Sequence, residues 1–165
     1  MVSFLGAGHE AIASSRTALT LYPEVSYAQY NIGVALLLKG EPEAALAAMR
    51  QDREISLVGL ALAYHALGQA AESDAAIAEL IEIERDEPGW AYNIAYVMAY
   101  RDEVDRSFEW LDRAVQYSDP GLAQIAVEDL FANIHDDPRW LPFLESIGRS
   151  PEQLAAIEFE VTLAE

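Results

Sequence analysis

An all-α fold of repeated antiparallel helix pairs is predicted by three features of this 165-residue chain. Small and large apolar residues recur in a register of 34 positions. Pro23, Pro42, Pro88, Pro120, Pro138 and Pro151 mark loops or first turns, where a missing N–H costs a helix nothing. With 52% hydrophobic and only 23% charged residues, the chain can bury a core and lies far from the disordered class.

The register is clearest in the middle. Leu60-Ala61, Tyr64, Gly68, Ile77 and Leu80 define a unit at 54–87, and 34 residues later Ile94-Ala95, Met98, Asp102, Leu111 and Ala114 define one at 88–121. Ala61 and Ala95 are placed where two helices approach closely. Gly68 is placed at the turn, where a left-handed backbone costs glycine least, and Asp102 stands there in the next unit because Asp tolerates that region better than most residues. Upstream, Ile32-Gly33, Leu36, Gly40, Ala45 and Met49 define a unit at 26–53, and the next unit follows after only 28 residues. Its second helix or following loop must be short. Ala11, Ala18 and Pro23 fit the second half of a unit ending at residue 25, so 1–25 reads as a partial unit, either cut from a longer array or opened by a lone helix. The total is about three and a half units.

Residues 122–165 read as a helical tail. Asp137-Pro138 is an N-cap signature and Ser150-Pro151-Glu152-Gln153 a capping box, which predicts two further helices. The last sets Leu154, Ile157, Val161 and Ala164 on one face. That face either caps the array or docks on another chain. Trp110 and Trp140 are expected as wedges between the last repeat and the tail, with Trp90 opening a helix.

These matches resemble the tetratricopeptide repeat family over about residues 9–121. Tyr92-Asn93-Ile94-Ala95-Tyr96-Val97, Phe108-Glu109-Trp110-Leu111, Asp119-Pro120-Gly121-Leu122 and Asp137-Pro138-Arg139-Trp140 look like the terminal repeat segment of bacterial multidomain regulators, where it accompanies a cyclase, a Ser/Thr kinase or a DNA-binding domain. Asp129-Leu130-Phe131 departs from the Asp-Pro-Leu usual in such tails. The resemblance implies an α-solenoid and an accessory regulatory or scaffold role, and no enzyme. It also implies that the first helix of each pair lines a concave groove. The partner-binding residues are then Tyr27, Tyr30, Val34, Leu37, Leu62, His65, Tyr92, Tyr96 and Tyr100, an aromatic and apolar set suited to a helix or an extended peptide. Alternatively many of these are core, because the array coils tightly or the tail fills the groove. The positions that carry a carboxylate clamp in some members are Tyr30, Val34, Gly59, Gly89 and Asn93, without Lys or Arg, so an apolar or basic helix is preferred over an acidic C-terminus. A second function left open is homo-oligomerisation, pairing copies of a larger signalling protein.

Charge narrows the partners further. The net charge of −18 divides into −1 over residues 1–53 and −17 over 54–165, which disfavours nucleic acid and anionic membranes. Cysteine is absent, which removes disulfides, thiolate catalysis and Cys-based metal sites. A cytoplasmic location is compatible with this and with an N-terminus that does not read as a signal peptide. The uncharged stretch from Ile55 to Ala71 is too short for a membrane span and reads as a buried helix. His9, His65 and His135 are scattered, and the acidic runs lack the glycine and alternating ligands of a calcium loop, so no cofactor, metal or catalytic set is predicted. His135-Asp136-Asp137 reads as a loop ending in a cap.

Overall fold

The computed structural model describes residues 12–15, 17, 20, 21, 27–51 and 56–157. His9, Ala11, Ala18, Pro23, Ile55, Val161 and Ala164, named above, lie outside them. Most of the described chain is helical, and no strand occurs among the described residues. It divides into two compact units, Met1–Pro88 and Gly89–Glu165.

In the first unit the described part of residues 12–21 is helical. Two helix pairs follow: α1 (Ala28–Leu38) with α2 (Pro42–Met49), and α3 (Ser56–Ala66) with α4 (Ala70–Asp86). The second helices differ in length, with 8 residues in α2 against 17 in α4. Met49 explains how so short a helix still locks its neighbours. It is fully buried, and its side chain lies against Gly33 of α1 and Gly59 of α3, where a Cβ would come within 2.5 and 2.9 Å of its Cγ. Two glycines in mid-helix are tolerated because the thioether fills the notches they leave.

The second unit holds α5 (Ala91–Tyr100) and α6 (Val104–Gln116), then two 3-10 segments, Pro120–Val127 and Asp129–Ile134, then α7 (Trp140–Ser146) and α8 (Pro151–Ala155). The 3-10 segments were not anticipated from the sequence, which predicts only two further helices after the repeats. The capping box is present in full: the Ser150 hydroxyl accepts from Gln153 N at 3.3 Å and Gln153 Oε1 accepts from Ser150 N at 3.1 Å. Asp137 accepts from Arg139 N at 2.9 Å in a turn ahead of the helix, and the N-cap of α7 is Arg139 with no side-chain cap bond, so the N-cap expected at Asp137 is not where the helix starts.

One turn recurs through both units. After α1, α3, α5, α6 and α7 the residue two beyond the helix is left-handed, at Gly40, Gly68, Asp102, Ser118 and Gly148. Each time two backbone bonds close the end: Gly68 N to His65 O at 2.9 Å with Gln69 N to Tyr64 O at 2.9 Å, and again Asp102 N to Ala99 O at 3.0 Å with Glu103 N to Met98 O at 2.9 Å. This is the Schellman end, which satisfies orphan carbonyls and folds the chain back into a hairpin. Asp102 reaches φ 60, the conformation its position in the register demands.

Candidate functional site

Eight of the nine candidate contact residues lie on the first helices of the pairs and Tyr27 just before one, and the structure sorts them by exposure. In the first unit Tyr27 stands immediately before α1 in a left-handed conformation, φ 64, and is 43% exposed. Helical spacing aligns it with Val34, half-buried, and Leu38, 49% exposed. Tyr30, Leu37 and Leu62 are buried, while His65 is half-buried at the end of α3. Nearby in the same unit the Arg50 guanidinium lies 6.0 Å from the centre of the Tyr64 ring and donates to its hydroxyl at 3.3 Å.

In the second unit two of the three tyrosines are covered by the chain itself. Tyr92 and Tyr96 are buried, and Phe131 from the second 3-10 segment meets both edge-on, at 5.5 and 6.1 Å between ring centres. The two tyrosines are also edge-to-face at 5.5 Å, and Phe131 continues onto Trp140 at 5.5 Å. Such T-shaped contacts place a positive ring edge on a negative face. Of the alternatives left open by the sequence, residues 129–134 thus take the core option for Tyr92 and Tyr96. Tyr100 stays half-buried, its carbonyl accepting from Asn133 Nδ2 at 3.2 Å.

Asp119 is the polar centre of this arrangement. Its carboxylate accepts from Tyr92 N at 3.1 Å, capping α5, and from Gly121 N at 2.9 Å, capping the first 3-10 segment. Gly121 then lies flat on Tyr92, where a Cβ would overlap the ring. Burial raises the Tyr92 hydroxyl well above the ordinary tyrosine range, helped by the negative charge of Glu128 and the proximity of Tyr96 and Asp119. That hydroxyl is buried without a hydrogen-bond partner. Glu128 itself is raised by burial despite the N–H of Leu130 that its carboxylate accepts at 3.2 Å. Asn93 Nδ2 sits 2.6 Å from the Tyr96 hydroxyl and orients it.

His135, Asp136 and Asp137 do not assemble a reactive cluster. His135 stacks on Trp140 at 4.8 Å, and Asp137 holds Arg139 with bonds of 2.8 and 2.9 Å. Arg139 spans to Asp105 of α6 at 2.9 Å and covers the Phe108 ring at 4.4 Å, so these polar residues fasten the tail to the repeat. Among the described residues no group of three His, Cys, Asp or Glu could hold a metal ion, and no helix is long and apolar enough to cross a membrane.

Two helices joined by a Schellman turn, with a small residue at each crossing and the same turn 34 residues on, make a helical repeat. Residues 56–87 match the tetratricopeptide repeat family. The match spans α3 and α4, the pair whose landmarks set the register. No curated protein and no solved structure matches the chain. The tetratricopeptide repeat is typically a non-catalytic scaffold whose repeats hold proteins or peptides, and the fold here is an all-α helical repeat.

Proposed function

We propose that the chain is a protein-interaction module, an accessory segment of a larger regulatory protein, that holds a partner's helix or extended peptide on the first helices of its repeats. The tetratricopeptide repeat match is the observation that carries this reading. The contact residues are the accessible members of the predicted set. In the first unit Tyr27 and Val34, continued by Leu38, form a stripe along α1, with His65 on α3. Tyr30, Leu37 and Leu62 are buried and belong to the core. An exposed tyrosine at the start of α1, a half-buried valine and an exposed leucine suit the apolar face of a helix, because a large rigid ring gives contact area at little entropic cost. Charge permits a basic flank on the ligand, since the chain carries −18 overall.

The test is affinity capture with the full chain, comparing it with a Tyr27→Ser, Leu38→Ser variant that melts as the parent does. A partner identified with the parent must be lost with the variant. Retention of every partner by the variant would place binding elsewhere. Tyr96→Ala is unsuited to this test, because Tyr96 is core.

A further inference from the structure

We infer that residues 128–134 are a built-in occupant of a second peptide-binding face, formed by Tyr92, Tyr96 and Tyr100 on α5, and that this face takes a partner segment of the pattern Phe-x-x-aliphatic preceded by an acidic residue. The inference rests on the reading of the chain as an interaction module, and adds a ligand chemistry and a competition to it.

Three observations carry it. First, the tyrosines lie on the first helix of a repeat, where the family match next door predicts contact with partners, yet they are covered by a segment that is not itself a repeat helix. Second, the segment is held as a recognised peptide is held. Phe131 sits edge-on to both Tyr92 and Tyr96, Ile134 is buried three residues on, and Asn133 donates to the Tyr100 carbonyl at 3.2 Å. Glu128 starts the turn by accepting from Leu130 N, which fixes the 3-10 geometry that presents the phenyl ring. Third, the cover is imperfect in its polar pairing. The Tyr92 hydroxyl is buried beneath it with no acceptor, and the Glu128 carboxylate is desolvated beside it. An orphaned hydroxyl and a desolvated carboxylate both weaken closure relative to a ligand that supplies an acceptor to the first and leaves the second in water. A 3-10 segment also has poorer internal hydrogen bonds than an α-helix, which lowers the cost of its release.

The experiment uses the full chain and a fluorescent peptide of residues 127–136. Phe131→Ala vacates the aromatic face without removing the tyrosines, and Phe131→Leu is the milder version that keeps an apolar side chain there. Anisotropy titration is expected to show saturable binding to the Phe131→Ala chain at least about tenfold tighter than to the parent. The same peptide with its phenylalanine changed to alanine should not bind. A folded, cooperatively melting variant that ignores the peptide overturns the proposal. So does equal binding by the parent, and so does loss of folding in both variants, which would make the segment obligatory core. Because Tyr27 and Leu38 are untouched, failure here leaves the α1 stripe and its partner capture standing.

Discussion

Ser107 donates its hydroxyl proton to the carbonyl of Ala95 at 2.9 Å, repeating 34 residues later the bond that Ser73 makes to Ala61 at 2.7 Å. Both serines are fully buried near the start of the second helix of their pair, and both acceptors lie at the small-residue crossing of the first. The bond pins two helices where they touch most closely. In the α1–α2 pair the corresponding residues are Ala45 and Gly33, so the hydroxyl is dispensable where packing alone suffices. Ser107→Ala is therefore expected to cost about 1 kcal/mol, the net worth of one buried hydrogen bond, read as a lower urea midpoint with unchanged slope. A loss several times larger would mean that the serine holds more than its pair.

The Met49 contacts predict a different kind of loss. Alanine is ordinarily favoured over glycine inside a helix by about 1 kcal/mol, but a methyl at residue 33 would meet the inner Cγ of Met49, which cannot swing away as the chain end could. Overpacking of about 1–3 kcal/mol opposes the propensity gain, so Gly33→Ala should destabilise by a net of up to about 2 kcal/mol. Combining it with Met49→Ala should cost less than the sum of the two singles, because the new methyl fills part of the cavity. Additive losses in that double-mutant cycle would break the account.

Asp119 joins α5 to the segment that covers it, and its removal uncaps two N–H groups at once. Asp119→Ala should cost about 2–3 kcal/mol, more than a surface cap, because the site is buried. Asp119→Asn keeps one acceptor and should recover part of this. Identical losses for the two variants in chemical denaturation would show that backbone capping is not what Asp119 contributes.

How far the sequence revealed this arrangement depends on how local each feature is. The left-handed Asp102 and the capping box at Ser150 were legible, because each is set by a few neighbouring residues and a recurring register. Tyr27 and Ser118 also adopt positive φ, yet neither residue type signals it. The 3-10 segments were hidden for another reason. Pro120–Val127 is apolar without a period of 3.6, so nothing in it distinguishes a loop from a covering strap until Ile125, Leu130, Phe131 and Ile134 are seen buried. Whether Tyr92 faced solvent or Phe131 was likewise a long-range matter, invisible to spacing. The family register could mark Tyr92 as a lining position but could not name what would lie against it.

Tyr92 gives the chain an alkaline sensitivity with a definite sign. In the unfolded chain a tyrosine titrates near pH 10, whereas in the folded chain the buried hydroxyl is raised well above that. The folded state then holds its proton where the unfolded state releases it, so stability is lost as pH rises past about 10. Tyr92→Phe removes both the titration and a buried hydroxyl with no partner. It should be neutral or stabilising by up to about 1 kcal/mol at pH 7, with a shallower decline above pH 10 in thermal melts. A clear destabilisation at neutral pH would mean that the hydroxyl has an acceptor after all, such as a bound water.

Asp137 governs the opposite limb. Two guanidinium bonds and the N–H of Arg139 hold its carboxyl down to about 2 from an ordinary value of 3.8. A depressed folded value means stability present above about pH 3.8 and lost as pH falls through 2. The loss should be felt where Arg139 bridges to Asp105 and covers Phe108, at the join of α6 and the tail. Asp137→Asn should flatten the decline between pH 4 and pH 2 while lowering stability at pH 6, because an amide cannot answer a bidentate guanidinium. Arg139→Lys should lower stability at pH 6 as well, since an ammonium gives neither the fork nor the flat stacking over a ring. Urea midpoints at pH 6, 4 and 2.5, followed by the fluorescence of the chain's three tryptophans, measure both. An acid limb unchanged by Asp137→Asn would assign the sensitivity to another of the chain's many carboxylates.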